Sequence, residues 1–384
     1  MKDRQLLRTR LRLFGLAVFC AGAMALLSAQ THPDWTLGPF KRPVEAPVIT
    51  PNPKSVFQDP IRHAPVHWEA LHTFNPAAVV RGGRVYVLYR AEDNTGSMGI
   101  GLHTSRLGLA ESEDGIHFTR ESQPVFYPSN DAQKEREWPG GTEDPRIVEA
   151  PDGTYVLTYT QWNRKTYTVG IATSKDLHTW QKHGPAFAQA AHGKYANLKY
   201  KSAGILTHLV NGRLIAAQVH GKYWMYWGEI KIRLATSPDL IHWTPVETPQ
   251  GDPVVLLRRR PGLFDSEFPE VGTPPLLTPK GIVLLYNGKN AAHDGAPGID
   301  PGAYSGGQAL FSAEDPARLM ARTDQPYFKP EMPFEKSGQY AAGTTFVEGL
   351  VFFHDKWFLY YGCADSLVGV AVADAPAASS VEQN

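Results

Sequence analysis

The sequence predicts an all-β protein, and within that class a five-bladed β-propeller with an axial active-site pocket. Three observations carry this. A short frame recurs along the chain, a strand-like run precedes each copy, and after the first thirty residues almost nothing has the length and 3.6-residue period of an amphipathic helix. The frame is Ala, x, Ser, x, Asp and a later aromatic. It reads "LAESEDGIHF" from Leu109, "IATSKDLHTW" from Ile171 and "LATSPDLIHW" from Leu234, at spacings of 62 and then 63 residues. A degenerate copy, "ALFSAEDPARL", starts at Ala309, and "GVAVADAPA" from Gly369 closes the chain as a fifth.

The strand-like runs begin at Arg84, Thr154, Arg213, Gly281 and Lys356. Each is dense in Tyr, Val, Leu and Trp and follows a turn signal such as "RGG", "PDG" or "VNG". Five units that each repeat several short strands fit a radial array of sheets better than a sandwich. In such an array, residues from "VLYRAED", "TEDPR", "LLYNG" and "YYGCADS" meet at the axis although they are far apart in sequence. The repeated acids Asp114, Asp176 and Asp239 are expected to be turn formers.

Residues 1–30 stand apart. "MKDRQLLRTRLRL" supplies five cationic side chains, and an apolar run ending in small residues follows, which reads as a secretory signal cleaved near Ala23–Ala25 or Ser28–Ala29. The expected organisation is therefore a signal over 1–30 and one catalytic propeller over 31–384. The protein is expected to be exported, periplasmic or secreted, without stable membrane insertion after cleavage. Cys20 lies in the signal, so Cys363 alone remains and no intrachain disulfide can form. Too few thiolates remain for a zinc site, and the acids of residues 289–307, Asp294 and Asp300, lack a calcium-binding frame, so no metal or cofactor is expected. Lys plus Arg and Asp plus Glu are both 38, with no long basic stripe, which argues against nucleic acid as a partner.

The informative acids are those that break the repeat: Glu143 and Asp144 in "GGTEDPRI", Glu229 after the aromatic run "YWMYW", and Glu267 and Glu270 in "LFDSEFPEVGTPPLL". Carboxylates in apolar surroundings have raised pKa values and suit proton transfer near neutral pH. Paired in this way they suit glycoside hydrolysis, in which one acid protonates the leaving oxygen and another activates water. Trp224, Trp227, Tyr286 and Tyr361 offer faces for a sugar, although packing is the commoner use of such residues in strands.

The ordered series "FNPAAVV", "LYRAED", "GTEDPRI", "TSPDLIHW" and "YYGCADS" resembles glycoside hydrolase family 130, the mannoside phosphorylases and mannosidases. The resemblance implies that Asp144 is the proton donor to the glycosidic oxygen, acting in the family's phosphorylases through the mannose 3-hydroxyl. It implies that Asn75, Arg90 and Asp365 hold the mannose before the cleaved bond, with Tyr286 a weaker match and Glu143 beside them. Pro145 would stiffen the backbone at Asp144, and Arg146 would orient that acid or offset its charge.

Two chemistries remain within the family. A phosphorylase must gather basic donors for a dianion, and the resemblance places a His-Arg pair and a Lys where this chain has Trp227, Gly228 and Phe268 or Pro269, with Glu229, Glu267 and Glu270 nearby. That pattern resembles the exported β-1,2-mannosidase branch, which inverts configuration. Glu229 and Glu270 are then the water-side pair, with Glu267 in reserve. Lys201 in "LKYKSAG" either keeps some anion-binding character or holds a sugar hydroxyl. The expected function is release of mannose from β-1,2-linked manno-oligosaccharides. The alternatives are a β-mannoside phosphorylase and a non-catalytic mannan-binding protein. A furanosidase on the same scaffold is disfavoured by "EDPR" and "YYGCADS".

Overall fold

Successive antiparallel meanders account for nearly all the regular structure in the computed structural model, which describes residues 33–375. The chain is all-β. Among the described residues the helices are one four-residue α-turn, Lys134–Glu137, and two short 3-10 segments, Ala190–Gly193 and Pro333–Glu335. None is long and apolar enough to cross a membrane. The expected signal segment, residues 1–30, lies outside the described residues.

The first meander runs His72–Arg81, Arg84–Glu92, Ser105–Ser112 and Thr119–Arg120. The second runs Gly141–Glu149, Tyr155–Trp162, Tyr167–Ser174 and Gln181–Pro185. The third pairs Ala203–Ile205 with Lys222–Trp227 and then Ile232–Ser237, and carries an inserted hairpin, Thr207–Val210 against Arg213–Ala216. In the fourth, Phe268–Val271 and Leu276–Thr278 both pair with Gly281–Lys289, which continues into Tyr304–Phe311 and Leu319–Arg322. The last is Thr345–Phe353, Lys356–Cys363 and Leu367–Asp374, edged by bridges from Lys41 to Val372 and from Ile49 to Val368.

The recurring frame ends the third strand of a meander, and its acid serves the turn that follows. Asp114 Oδ1 accepts the N–H groups of Ile116 and His117, both at 2.8 Å, and Asp176 and Asp239 do the same two and three residues on. These acids are turn formers because a short carboxylate can satisfy the next backbone donors without leaving its own turn.

The apolar core lies between the sheets. One cluster joins Leu88 and Leu109 of the first meander to Leu157 and Ala172 of the second, and another joins Val156 and Ile171 to Met225 and Ala235. The next pairs Leu234 with Leu284 and Phe311, and the following one pairs Leu285 with Leu359 and Ala371. A further cluster brings Tyr360 and Val370 of the last meander against Val85 and Tyr89 of the first. Each meander is thus covered on both faces, which is why strands such as Gly141–Glu149 are buried at every position.

That packing corrects four expectations. Trp227 is sealed against Phe187 and Tyr200, with ring centroids at 4.9 and 5.2 Å. Tyr361 is buried and donates to Glu335 at 2.8 Å. Trp224 packs at the edge of a core cluster and donates to the Val219 carbonyl. Tyr286 is fully buried, donating to Asp265 at 2.8 Å and accepting from Arg322 at 3.0 Å. Strand side chains alternate between faces, and these four lie on the faces that pack against neighbouring sheets.

Candidate active site

Two short motifs with the same backbone device build one side of a cavity of ≈ 300 Å³. In "FNP" and "EDP" the ladder register shifts, between Phe74 and Pro76 and between Glu143 and Arg146. Asn75 and Asp144 occupy the bulges with left-handed φ of 46° and 47°. A bulge turns one side chain out of the strand's alternation. The proline that follows has no N–H to orphan where the ladder breaks, which is why proline is tolerated there. Asn75 Nδ2 donates to Asp144 Oδ1 at 2.8 Å. Gly362 opposite must be a glycine, since a Cβ would stand 2.2 Å from Asn75 Oδ1.

Arg90 organises this side. Its Nη1 meets Asp144 Oδ1 at 3.1 Å, and its Nη2 meets Glu143 at 2.9 Å and Glu92 at 2.7 Å. Its Nε donates to Ser105 Oγ, which in turn donates to Glu143. Burial tends to raise the Asp144 carboxyl, but Arg90, Lys201 and the Asn75 amide outweigh it and hold the group below its ordinary range. Glu143 moves the other way. Burial dominates there, and the charges of Asp144 and Glu92 oppose ionisation despite Arg90. Adjacent carboxyls sharing one cation thus divide into a more acidic and a less acidic member. Asp365 also reaches the cavity, from a tight turn at φ 51°, and burial with Asp144 and Glu92 nearby pushes it up to about 6.

The opposite side centres on Lys201. Its Nζ lies 3.5 Å from Glu229 Oε2 and 3.6 Å from Glu270 Oε1. Burial works against its charge, but Glu270, Glu229 and Asp144 together raise its pKa well above the ordinary value. Glu270 is fully buried in Phe268–Val271, accepts from Ser202 Oγ at 2.5 Å, and has no hydrogen-bond partner on Oε2. Burial raises its pKa, with Lys201 opposing. Glu229 sits in the turn after Lys222–Trp227, facing the Tyr167 hydroxyl, which burial and then that carboxylate push up to about 12.

The cavity therefore gathers Asn75, Arg90, Glu143, Asp144, Lys201, Glu229, Glu270 and Asp365. It does not include Glu267 or Tyr286. Glu267 precedes the strand carrying Glu270, is 40% exposed and pairs with Lys289 at 3.0 Å, so strand alternation sends it away from Glu270. Arg146 does not touch the Asp144 carboxylate. Its guanidinium turns inward to backbone carbonyls and to Glu348. Asp294, the calcium candidate, is held by Arg259 at 2.9 Å.

Sequence reasoning missed the aromatic wall: Phe74, Trp162, Tyr167, Tyr304, Tyr340 and Phe346. A signal for two of these existed. Trp162 pairs with Gly141 and with Tyr167, so counting the hairpin back from "GTEDP" places both rings at the level of the acids. A larger groove of ≈ 740 Å³ runs beside the turns of Asp176 and Asp239, and the acid oxygens there are occupied by their own turns. Convergent charged side chains mark the smaller cavity as the site.

Known proteins resemble this chain along most of its length. Residues 41–377 match the model of glycoside hydrolase family 130, described as beta-1,4-mannooligosaccharide phosphorylase. The chain is 31% identical to a 1,2-beta-oligomannan phosphorylase of Thermoanaerobacter sp. (strain X514) over 338 residues, 87% of this chain and 97% of the relative. A glycosyl hydrolase structure from Bacteroides ovatus is 54% identical, with a TM-score of 0.88 over 90% of this chain and 96% of its own. A second solved structure, also 54% identical with a TM-score of 0.88, covers 90% of this chain and 97% of its own. It comes from work describing the family of mannoside phosphorylases as containing glycoside hydrolases that target β-1,2-mannosidic linkages in Candida mannan. With the family model spanning nearly all the described residues, the chain belongs to glycoside hydrolase family 130.

Proposed function

We propose that the protein is an exported β-mannosidase that hydrolyses β-1,2-linked manno-oligosaccharides with inversion, in a five-bladed propeller whose axial pocket is the cavity above. The propeller reading is supported by five meanders whose core clusters link each to the next and the last to the first. Export rests on the charged and apolar pattern of residues 1–30.

The observation that carries hydrolysis is the charge balance of the cavity. Its two basic side chains are already matched by acids, Arg90 by Glu92, Glu143 and Asp144, and Lys201 by Glu229 and Glu270. A phosphate dianion there would meet carboxylates on both sides, each unit charge at 4 Å opposing it by about 4 kcal/mol at an effective dielectric near 20. Water meets no such barrier. In this reading the Glu229–Glu270 pair takes the proton of the attacking water, with Glu270 Oε2 as its acceptor. The Glu143–Asp144 pair supplies the proton to the leaving oxygen: in this reading Glu143, the less acidic member, holds it at rest and Asp144 delivers it, directly or through the mannose 3-hydroxyl. Asn75, Arg90 and Asp365 position the mannose ring.

Phosphorolysis is the second reading, favoured by curated relatives that are β-1,2-mannoside phosphorylases, by the description of the family model and by a lysine in the water-side cluster. Incubation with β-1,2- and β-1,4-mannobiose, with and without phosphate, separates the two. Free mannose independent of phosphate is expected, and mannose 1-phosphate formed only with phosphate rejects hydrolysis. In the same assay Asp144→Asn is expected to lower kcat by about 10²–10⁴-fold while mannobiose still binds. A wild type that binds mannobiose but turns over neither linkage would leave only the mannan-binding reading.

A further inference from the structure

Asp144 and Glu270 must keep a fixed separation across the reacting carbon, yet their strands, Gly141–Glu149 and Phe268–Val271, share no ladder pairing. The group that ties them is Arg146. From its place two residues after Asp144 it donates through Nη1 to the Asp144 carbonyl at 3.1 Å. It reaches across through Nη2 to the Val271 carbonyl at 2.7 Å and through Nε to the Gly272 carbonyl at 2.9 Å. Those last two carbonyls belong to the residues that immediately follow Glu270.

Glu348 stands against the same guanidinium, with Oε1 2.8 Å from Nη1 but without hydrogen-bond geometry, and neither of its carboxyl oxygens has another hydrogen-bond partner. It is fully buried and occupies a bulge in Thr345–Phe353, the register shifting between Val347 and Gly349. Its strand is fastened to the residue opposite Glu270. Asn287, the ladder partner of Glu270, accepts from the Val347 N–H at 2.8 Å and donates to the Val347 carbonyl at 3.1 Å. Burial raises the Glu348 carboxyl well above its usual range, and the charges of Asp144 and Glu270 act on it in the same direction. The pair thus stands close to both reacting carboxylates while lying outside the cavity lining.

We propose that Arg146 and Glu348 are positioning residues that couple the acid side of the site to the water side, by bracing the backbone at Asp144 against the backbone just after Glu270. Neither touches substrate. The inference rests on the roles given above to Asp144 and Glu270, and it holds whether water or phosphate attacks, because either nucleophile needs the same spacing. Misplacing a catalytic group by about 1 Å costs on the order of 10²-fold in rate.

The test compares Arg146→Lys, Glu348→Ala and Glu348→Gln with the wild type on β-1,2-mannobiose. Mannose and mannose 1-phosphate are measured separately, and each protein's melting temperature is recorded. Arg146→Lys and Glu348→Ala are expected to lower kcat about 10²-fold with KM within about threefold. Glu348→Gln keeps an oxygen for Arg146 and is expected to stay within about fivefold of wild type. A folded Glu348→Ala with kcat near wild type, or losses that fall on KM alone, would overturn the coupling. If Glu348→Ala does not fold, Glu348→Gln against Arg146→Lys decides: a Gln variant as slow as the Lys variant rejects it. A wild type that makes only mannose 1-phosphate defeats the hydrolytic reading, while the variant ratios still report on the brace.

Discussion

The two sides of the cavity each place one cation among carboxylates, and they do so differently. Around Arg90 the contacts run from 2.7 to 3.1 Å, the guanidinium is buried, and a serine completes the lattice. Around Lys201 the ion-pair distances are 3.5 and 3.6 Å and the side chain is 29% exposed. A planar fork fixes several acceptors at once, whereas an ammonium on a flexible stem is a point charge. The Arg90 side is thus held by several fixed contacts and the Lys201 side is loosely paired; under the proposed function the first would template a sugar ring and the second would admit the nucleophile.

The sharpest way to break that contrast is to exchange charge on each side. Glu270→Gln removes the buried carboxylate proposed as proton acceptor and is expected to lower kcat by about 10²–10⁴-fold. Glu229→Gln should add little in the double variant, since groups that act as a unit are not additive. Arg90→Lys is expected to cost activity together with stability, because three acids lose their shared fork. Equal and additive losses on the two sides, measured by steady-state kinetics and thermal melts, would erase the distinction.

A smaller effect concerns pH. The folded pKa of Asp365, about 6, lies above the unfolded value near 3.9. The native state therefore holds the extra proton between these values, and the associated stability is lost as pH rises from about 4 to about 6. Asp365→Asn is expected to melt with the wild type at pH 4 and above it at pH 8, by on the order of 1 kcal/mol after allowance for solvent screening, while losing turnover. A variant that melts below the wild type at pH 8 contradicts the assignment.

The smallest effects are expected outside the cavity. Glu267→Gln should leave kcat/KM and stability within about 0.5 kcal/mol of wild type, as usual for a surface pair. Tyr286→Phe should cost about 1–3 kcal/mol of stability for its buried partners with kcat/KM unchanged. A kinetic effect at either position would return that residue to the site.

These contrasts also explain what the sequence could and could not reveal. The turn acids Asp114, Asp176 and Asp239 were readable because their hydrogen bonds close within three residues. Asp144 and Glu270 were readable because they break an otherwise regular pattern, whereas Asn75 was reached only through the family resemblance. Tyr286 and Trp227 were misplaced because the face a strand shows to the cavity is set by neighbouring sheets, not by its own composition. Tyr304 and Tyr340 went unseen because they come from the edges of long connections. Arg146 was read only against Asp144, whose charge it does help to offset and whose carbonyl it holds, while its second acid, Glu348, lies in the last meander, where no local spacing announces it.

The bridges from Lys41 to Val372 and from Ile49 to Val368 have a consequence for biosynthesis. Lys41 and Ile49 have their place on a sheet whose other strands lie more than two hundred residues further along, so this segment must wait until those strands have emerged. Until then an unfinished edge stays open to strand pairing with other nascent copies. Long-range closure of this kind is slow, so the aggregation hazard lasts until the two bridges have formed.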